Sequence, residues 1–316
     1  MNNKVGLVVK KAGLFTQLQD RGRFHQAQQG LSQGGFCDEL AAHWANYLLA
    51  NSPDAPLLEI SFGQAEFEAC CDMMLSLTGA PMSARVKRLS GQLISQQNNR
   101  SFLLKRGETL IFSYARSGVR AYLAVQGGFF VEPVLGSVST VKRNLMGGGY
   151  QDGRPLQDGD FLPIFSAPRF AVPQKIAQKF IPDYSQPTTL SVIESYQSEQ
   201  FSVSEKSTFY STEYAIDKHS DRMGMRLQGE AIKGALQGIV SEGIALGSIQ
   251  IPSDGQPIIL LQDRQTLGGY PKLGCIARCD LSQLAQQSIG NKIRFKRTDV
   301  LTERLRYLQR LRFFNR

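Results

Sequence analysis

The residues best equipped for chemistry gather in loops of the second half of the chain. QDRQTLGGYP (262–271) brings Asp263, Arg264, Gln265, Thr266, Gly268, Gly269 and Tyr270 into one short stretch. That is more hydrogen-bonding capacity than a chain reversal needs. Gly268-Gly269 permits positive φ and a close approach of backbone N–H groups to a ligand, and neighbouring peptide N–H groups form an anion-binding concavity. HSDRMGMRLQG (219–229) presents Asp221, Arg222 and Arg226, and SEGIALGSIQIP (241–252) supplies Glu242 and Gln250. Arg222 can clamp a carboxylate or phosphate through two parallel hydrogen bonds. Glu242 and Asp263 are candidate acid–base groups or metal ligands if burial and mutual repulsion move their pKa values. In the first half, QLQDRGR (17–23) packs Gln19, Asp20, Arg21 and Arg23 into one turn. Plainer roles compete. Gly-Gly-Tyr-Pro also makes a tight turn with an aromatic anchor, and Asp20, Asp221 and Asp263 can each cap a turn or pair with the adjacent Arg.

Several chemistries lack their residues. There is no GxxxxGK[ST] loop, no GxGxxG opening a helix and no HExxH. GGGY (147–150) is glycine-rich but has no Lys-Ser/Thr after it. His25, His43 and His219 lie far apart with no Cys cluster nearby, which argues against a metal site. No Met-Lys-Met segment is present, so the chain is not expected to carry covalent biotin. Of five cysteines, Cys70 and Cys71 are adjacent and point to opposite faces of a strand, and Cys275 and Cys279 lack CxxC spacing. They read as reduced thiols of a cytoplasmic protein.

These loops need a scaffold, and the sequence reads as mainly β with a few short helices. The strands expected are Leu57–Phe62, Met73–Thr78, Glu108–Tyr114, Val119–Gln126, Thr189–Glu194, Gly247–Ile251, Pro257–Gln262 and Lys292–Phe295. Their irregular spacing, with Gly and Pro between, argues for barrels or sandwiches rather than a doubly wound sheet. Asp38 can cap a helix with Leu40, Ala41, Trp44, Ala45, Leu48 and Leu49 as its apolar positions. Asp280 is expected to cap a second, with Leu281, Leu284 and Ala285 inward and Gly290 beyond its end. The Pro-rich polar stretch Pro163–Pro187 is the expected boundary, giving domains 1–187 and 188–316 of a 316-residue chain. LLEISFGQAEF and GIVSEGIALGSIQI echo each other faintly, each with an acid on or beside a strand.

No apolar run approaches the ~20 residues of a membrane span, and no cleavage site follows Val5–Val9, so neither membrane segment nor signal peptide is expected. The net charge of +9 permits attraction to acidic partners without establishing any, and nothing specific points to nucleic acid. Residues 298–316 hold five Arg against Asp299 and Glu303. Leu301, Leu305 and Leu308 share one helical face. The simple expectation is a terminal helix laid on the body by its leucines, with arginines in solvent. The alternative is a docking surface for a partner or membrane.

QDRGR, SQGGFCDELAAHWAN, LEISFGQAEF, SDRMGMRLQG and SEGIALGSIQIPSDGQPIILLQDRQTLGGYPKLG occur in that order. Together, from about Gly13 to Phe295, the chain resembles the biotin-dependent carboxyltransferase family, also called allophanate hydrolase subunit 2, and within it the 5-oxoprolinase branch. The resemblance implies two packed β-barrel-like domains, at least one cyclophilin-like. It implies a cytoplasmic complex with two other 5-oxoprolinase subunits, one carboxyltransferase-like and one a lactam-utilisation subunit. That complex opens 5-oxo-L-proline to L-glutamate with ATP and Mg²⁺, which the partner subunits can hold. It implies catalytic roles for Glu242, Asp263 and Tyr270. Substrate or anion binding falls to Arg222, Gln250, Gln265, Thr266, Gly268 and Gly269, with Gln19, Asp20 and Arg21 from the first half. Two other activities are compatible with the family: a carboxyltransferase working with a biotin carrier on urea or a similar amide, and a non-catalytic regulator that binds a kinase-inhibitor protein. Many relatives have Thr-Thr-Gly-Gly where this chain has Thr266-Leu267-Gly268-Gly269, so Leu267 removes one hydroxyl.

Overall fold

The computed structural model describes residues 5–165, 172–232 and 238–314. Residues 1–4 of the N-terminal segment, 166–171 of the expected linker, and Asn315 and Arg316 of the basic tail lie outside the described residues. The chain is mainly β and divides into two compact units. One comprises residues up to 24 together with 34–184; the other comprises 25–33 together with 185 onward. The short segment 25–33 therefore belongs with the C-terminal part of the chain. Among the described residues no helix is long and apolar enough to cross a membrane.

The first unit is built on two antiparallel sheets. One runs in the order Phe161–Pro163, Gly6–Lys11, Glu66–Ala69, Thr109–Ile111, Arg85–Lys87, Leu93–Ser95. The other runs Phe15–Gln19, Leu57–Ser61, Arg120–Val125, Met73–Gly79, Arg100–Leu104. Leu7, Val9, Phe67 and Leu110 from the first sheet share one core with Leu58, Ile60, Leu75 and Leu77 from the second. Helix α1 (Glu39–Tyr47) covers the opposite face of the second sheet, where Ala41, Ala42 and Ala45 meet Met74, Tyr122 and Ala124. Alternate side chains of Met73–Gly79 thus enter two different apolar layers, and the whole strand is buried. Ser76 and Thr78 donate to the Ala45 and Ala41 carbonyls at 2.6 and 2.7 Å, satisfying polar groups under the helix.

Asp38 caps α1 as its position predicts, accepting from the Ala41 amide at 3.0 Å. The approach to the cap is fixed by buried Glu59, whose Oε2 accepts from the Cys37 amide at 2.9 Å and the Tyr122 hydroxyl at 2.8 Å. Burial first, then the Glu59 charge, pushes the Tyr122 phenol well above its usual range, so it stays a donor.

The second unit closes into a seven-stranded barrel. Its order is Thr188–Glu194, Lys272–Ile276, Ser248–Gln250, Ile258–Leu260, Gly224–Gln228, Tyr214–Ile216, Lys292–Thr298, and back to the first. The closing pair, Thr188–Glu194 with Lys292–Thr298, is parallel, and the other ladders are antiparallel. Closure leaves no free barrel edge. Leu190, Val192, Leu227, Ile249, Ile259 and Ile293 fill the interior. Helix α2 (Val203–Ser211) starts in a Ser202/Glu205 capping box. It lays Phe209 on Phe295 with ring centroids 4.4 Å apart.

Two expectations need correction. In α3 (Arg278–Leu284) Asp280 is not the cap: Ala277 holds that position, without a side-chain bond. Asp280 instead accepts from the Ser191 amide at 2.7 Å and pairs with Arg306 at 2.5 Å. In α4 (Val300–Phe314) the leucines do not face the body. Glu303 and Phe314 are its buried residues, and Leu301 and Leu305 are 71% and 62% exposed.

Glu194 ties α2 to the barrel. It receives Lys206 at 3.2 Å and the Tyr210 hydroxyl at 3.1 Å, and it pairs with Arg297. Burial alone would raise its pKa, but the bonds from Arg297, Lys206 and Tyr210 outweigh burial and hold it at about 2, against an ordinary 4.5. A carboxyl depressed by folding stabilises the fold fully above its unfolded pKa, and that contribution is lost as pH falls toward the folded value. Glu194→Gln is therefore expected to cost about 1 kcal/mol at pH 7, after allowance for solvent screening. The deficit should shrink between pH 4.5 and 2. Urea unfolding of both proteins across that range checks it.

Candidate functional site

The candidate site grows from a two-residue ribbon beside the barrel. Glu242–Gly243 pairs antiparallel with Leu267–Gly268, setting Glu242 opposite Gly268. The Ile244 amide donates to the Thr266 carbonyl at 3.1 Å, and the Ile239 amide to the Gly269 carbonyl at 2.8 Å. Neither Gly268 nor Gly269 has positive φ, contrary to the expectation from the Gly-Gly pair. Gly268 is required for a different reason. A Cβ there would lie 2.5 Å from Ile244 Cδ1 and 2.7 Å from Gln250 Nε2. The missing side chain leaves room for the Gln250 amide beside the ribbon.

Gln250 ends the barrel strand Ser248–Gln250 and is 1% exposed. Its Nε2 has no hydrogen-bond partner among the described residues. Such a donor carries a desolvation cost of roughly 1–3 kcal/mol, and a site that binds an oxygen ligand would relieve it. Across the ladder, beyond a register shift between Ile249 and Gln250, stands Lys272. Lys272 is buried, and its ammonium pairs with Glu242 Oε1.

Glu242 has two further donors. Gln197 Nε2 approaches Oε1 at 2.8 Å, and the Tyr196 hydroxyl donates to Oε2. The Lys272 hydrogen bond, then that of Tyr196, holds the Glu242 carboxyl below the usual carboxylate range. Its hydrogen bond to Glu242 pushes the Tyr196 phenol up. Glu242 is thus an anion at neutral pH and Tyr196 a neutral donor. Gln197 also accepts from the Lys272 backbone amide at 2.8 Å, and Ser195 Oγ donates to the Lys272 carbonyl at 2.5 Å. Ser195 and the start of the 3-10 segment Tyr196–Gln200 therefore grip Lys272 by both its main chain and its counter-ion.

Arg222 and Asp263 come together differently. They form a buried bidentate pair at 2.9 and 3.0 Å, so the Arg222 guanidinium is committed to a partner inside the protein. The Asp263 carbonyl accepts from Ser32 Oγ at 3.2 Å. Arg264 Nε donates to the Ile244 carbonyl at 3.2 Å, tying the loop to the ribbon two residues after Glu242. Burial pulls the Arg264 guanidinium down to about 10. Gln265 and Thr266 are half-buried, and their side chains make no hydrogen bond among the described residues. Tyr270 is 43% exposed on the same loop.

Gln19, Asp20 and Arg21 lie in the first unit. Gln19 is buried, donates to the Thr140 carbonyl at 3.1 Å and accepts from the Gly35 amide. Asp20 takes the hydroxyls of Ser137 and Ser139, both at 2.6 Å, and the amides of Val138 and Gly22. Arg21 makes an exposed pair with Asp54 at 3.4 Å. These bonds close the turn onto residues 137–140.

Sequence reasoning missed Lys272, Tyr196 and Gln197. A lysine opening the otherwise apolar strand Lys272–Ile276 was a usable signal. Tyr196 and Gln197 lie more than 40 residues from Glu242, and nothing local marks them. Among the described residues no three of His, Cys, Asp and Glu come together as a metal cage.

A family model described as the carboxyltransferase domain, subdomain A and B, matches residues 29–297. The chain is 35% identical over 290 residues to the C component of the 5-oxoprolinase of Escherichia coli (strain K12), covering 92% of this chain and 90% of that one. It is similar to the solved structure of TTHA0988, with TM-score 0.82 and 31% identity, over 94% of this chain and 57% of the other. It is also similar to the K. lactis urea amidolyase, with TM-score 0.86 and 26% identity, over 95% of this chain and 19% of that one. The chain thus spans little more than half of TTHA0988 and about a fifth of the amidolyase.

Removing one partner of a buried ion pair strands the other. Asp263→Asn is expected to lower unfolding free energy by about 3 kcal/mol through the loss of Arg222's counter-ion. Denaturant unfolding of the purified chain measures it, and a change under 1 kcal/mol (roughly the worth of an exposed pair) contradicts the framing role.

Proposed function

The chain belongs to the carboxyltransferase domain family, subdomain A and B, and from that membership we propose that it is a subunit of an ATP-dependent 5-oxoprolinase that opens 5-oxo-L-proline to L-glutamate in the cytoplasm. The likeness to a 5-oxoprolinase component along nine tenths of both chains supports this. The observation that carries the reading is the buried, uncommitted Gln250 amide opposite a buried lysine on one barrel ladder.

A lactam is a stable amide, and its carbonyl must be activated before water can open it. In this reading ATP supplies the activation, and partner subunits hold it with its Mg²⁺. The donor set of this chain suits one carboxylate or amide oxygen. It offers no glycine-rich phosphate loop and, among the described residues, no metal cage. Lys272 and Gln250 hold an anionic or carbonyl oxygen of the substrate, where preorganised donors also stabilise developing negative charge. Glu242 keeps Lys272 in place as its counter-ion. Tyr270, Gln265 and Thr266 supply further polar groups from the adjoining loop. Asp263 and Arg222 act by fixing that loop.

The likeness to the urea amidolyase over 95% of this chain favours a second reading, a carboxyltransferase that works with a biotin carrier on urea or a similar amide. A carboxyl group in transit would use the same two donors.

Reconstitution separates the two. The chain, mixed with a carboxyltransferase-like and a lactam-utilisation subunit, ATP, Mg²⁺ and 5-oxoproline, is expected to release glutamate. Lys272→Ala should lower kcat about 100-fold or more and Gln250→Ala about 10-fold or more, the scale of losing a charged or neutral oxyanion donor. Undiminished turnover in both variants removes this site from the chemistry. Turnover of urea with a biotin carrier, and none of 5-oxoproline, establishes the second reading.

A further inference from the structure

Helix α4 is amphipathic in the reverse of the usual sense. Its polar face is the docked one. Glu303 is buried and accepts from Thr298 Oγ1 at 3.0 Å. Arg306 bridges Glu303 at 3.1 Å and Asp280 of α3 at 2.5 Å. Arg310 donates to the Cys279 carbonyl at 3.1 Å. Asp299 closes the start by accepting from the Thr302 amide at 3.0 Å, and Phe314 is buried at the far end. The helix is therefore held along its length by one side.

The other side is apolar and in solvent. Leu301, Leu305 and Leu308 are 71%, 62% and 36% exposed. At about 100° per residue, these leucines and Arg312 fall within an arc of about 60°. Their spacing of four, three and four residues is the alternating a/d spacing of a helix–helix seam. Arg304 borders it about 40° beyond Leu308, and Arg312 holds its fourth position; both are exposed and without an ion pair among the described residues. The outward face holds no acid.

We propose that this seam receives an amphipathic helix of another protein, one whose apolar stripe is bordered by Asp or Glu. Two other occupants fit less well. A second copy of α4 would bring arginines to arginines with no acid to meet them. Lipid binding by such a helix scales with the apolar area it buries, and three leucines offer little. The seam matches the width of one helix, and its charge selects an acidic one. This inference stands on α4 alone and is independent of the barrel chemistry.

The test uses the full chain and a labelled four-heptad peptide with Leu at a and d and Glu at e and g, which repels its own copies at neutral pH. Anisotropy should show binding, with a gain of peptide helicity by circular dichroism. Leu305→Asp should weaken binding about tenfold or more, the scale of one lost apolar contact facing a new like charge. A peptide with Lys at e and g should not bind to the wild type. Arg304→Glu should weaken the Glu peptide and strengthen the Lys peptide. Both side chains are exposed, so the unfolding midpoint should stay unchanged and serve as the control. Equal binding of the two peptides overturns the proposal, as does affinity unchanged by Leu305→Asp. Binding to phosphatidylserine vesicles without peptide binding assigns the seam to lipid. Concentration-dependent dimerisation abolished by Leu305→Asp, again without peptide binding, assigns it to a second copy.

Discussion

A charge taken out of water must be met by an opposite charge and by hydrogen bonds, and the site depends on how Lys272 meets that condition. Its ammonium sits at the end of a closed barrel, buried, with Glu242 as its partner. Glu242 comes from a separate ribbon, so the ion pair fastens that ribbon to the barrel. Gln197 joins both members, accepting from the Lys272 main chain and donating to the Glu242 carboxylate. The ribbon in turn brings Gly268 beside Gln250. Four segments of the chain converge because one lysine needs a counter-ion.

The second ion pair of the same unit does a different job. Arg222 and Asp263 meet in a bidentate arrangement, both nearly out of solvent. A fork satisfied this way holds the loop between the strand Ile258–Leu260 and the ribbon, with Arg264 as a further tether to Ile244. The Glu242–Lys272 pair is one-third exposed on its acidic side, and the amide beside it has no protein partner among the described residues. One pair closes a structure, and the other stands beside a buried donor that no described residue satisfies. The distinction rests on burial and hydrogen-bond satisfaction, which residue types alone do not convey.

That contrast marks where the sequence was legible. Asp38 and the apolar spacing of α1 are local signals, and the helix begins where they place it. The strands rich in β-branched and apolar residues were readable for the same reason, as was their gathering into barrel and sandwich. Asp280 was misread because Asp before Leu-x-x-Leu looks like a cap, whereas its partners Ser191 and Arg306 are 89 and 26 residues away. The leucines of α4 were assigned inward on the rule that apolar faces are buried. Asp280 and Glu303 reverse it by drawing the arginine side onto α3. Gly268-Gly269 was singled out for a backbone dihedral, while what the structure needs at Gly268 is the absence of a Cβ. Gln197 and Tyr196 had no local mark, since their role exists only once the barrel closes.

The central claim is that Gln250 and Lys272 share an oxygen of the substrate. A crystal structure of this chain, assembled with the partner subunits proposed for it and bound to 5-oxo-L-proline, tests it directly. The account predicts a carboxylate or carbonyl oxygen of the ligand within about 3 Å of both Gln250 Nε2 and Lys272 Nζ. Ligand bound elsewhere, with the Gln250 amide still unpartnered beside Gly268, would contradict it.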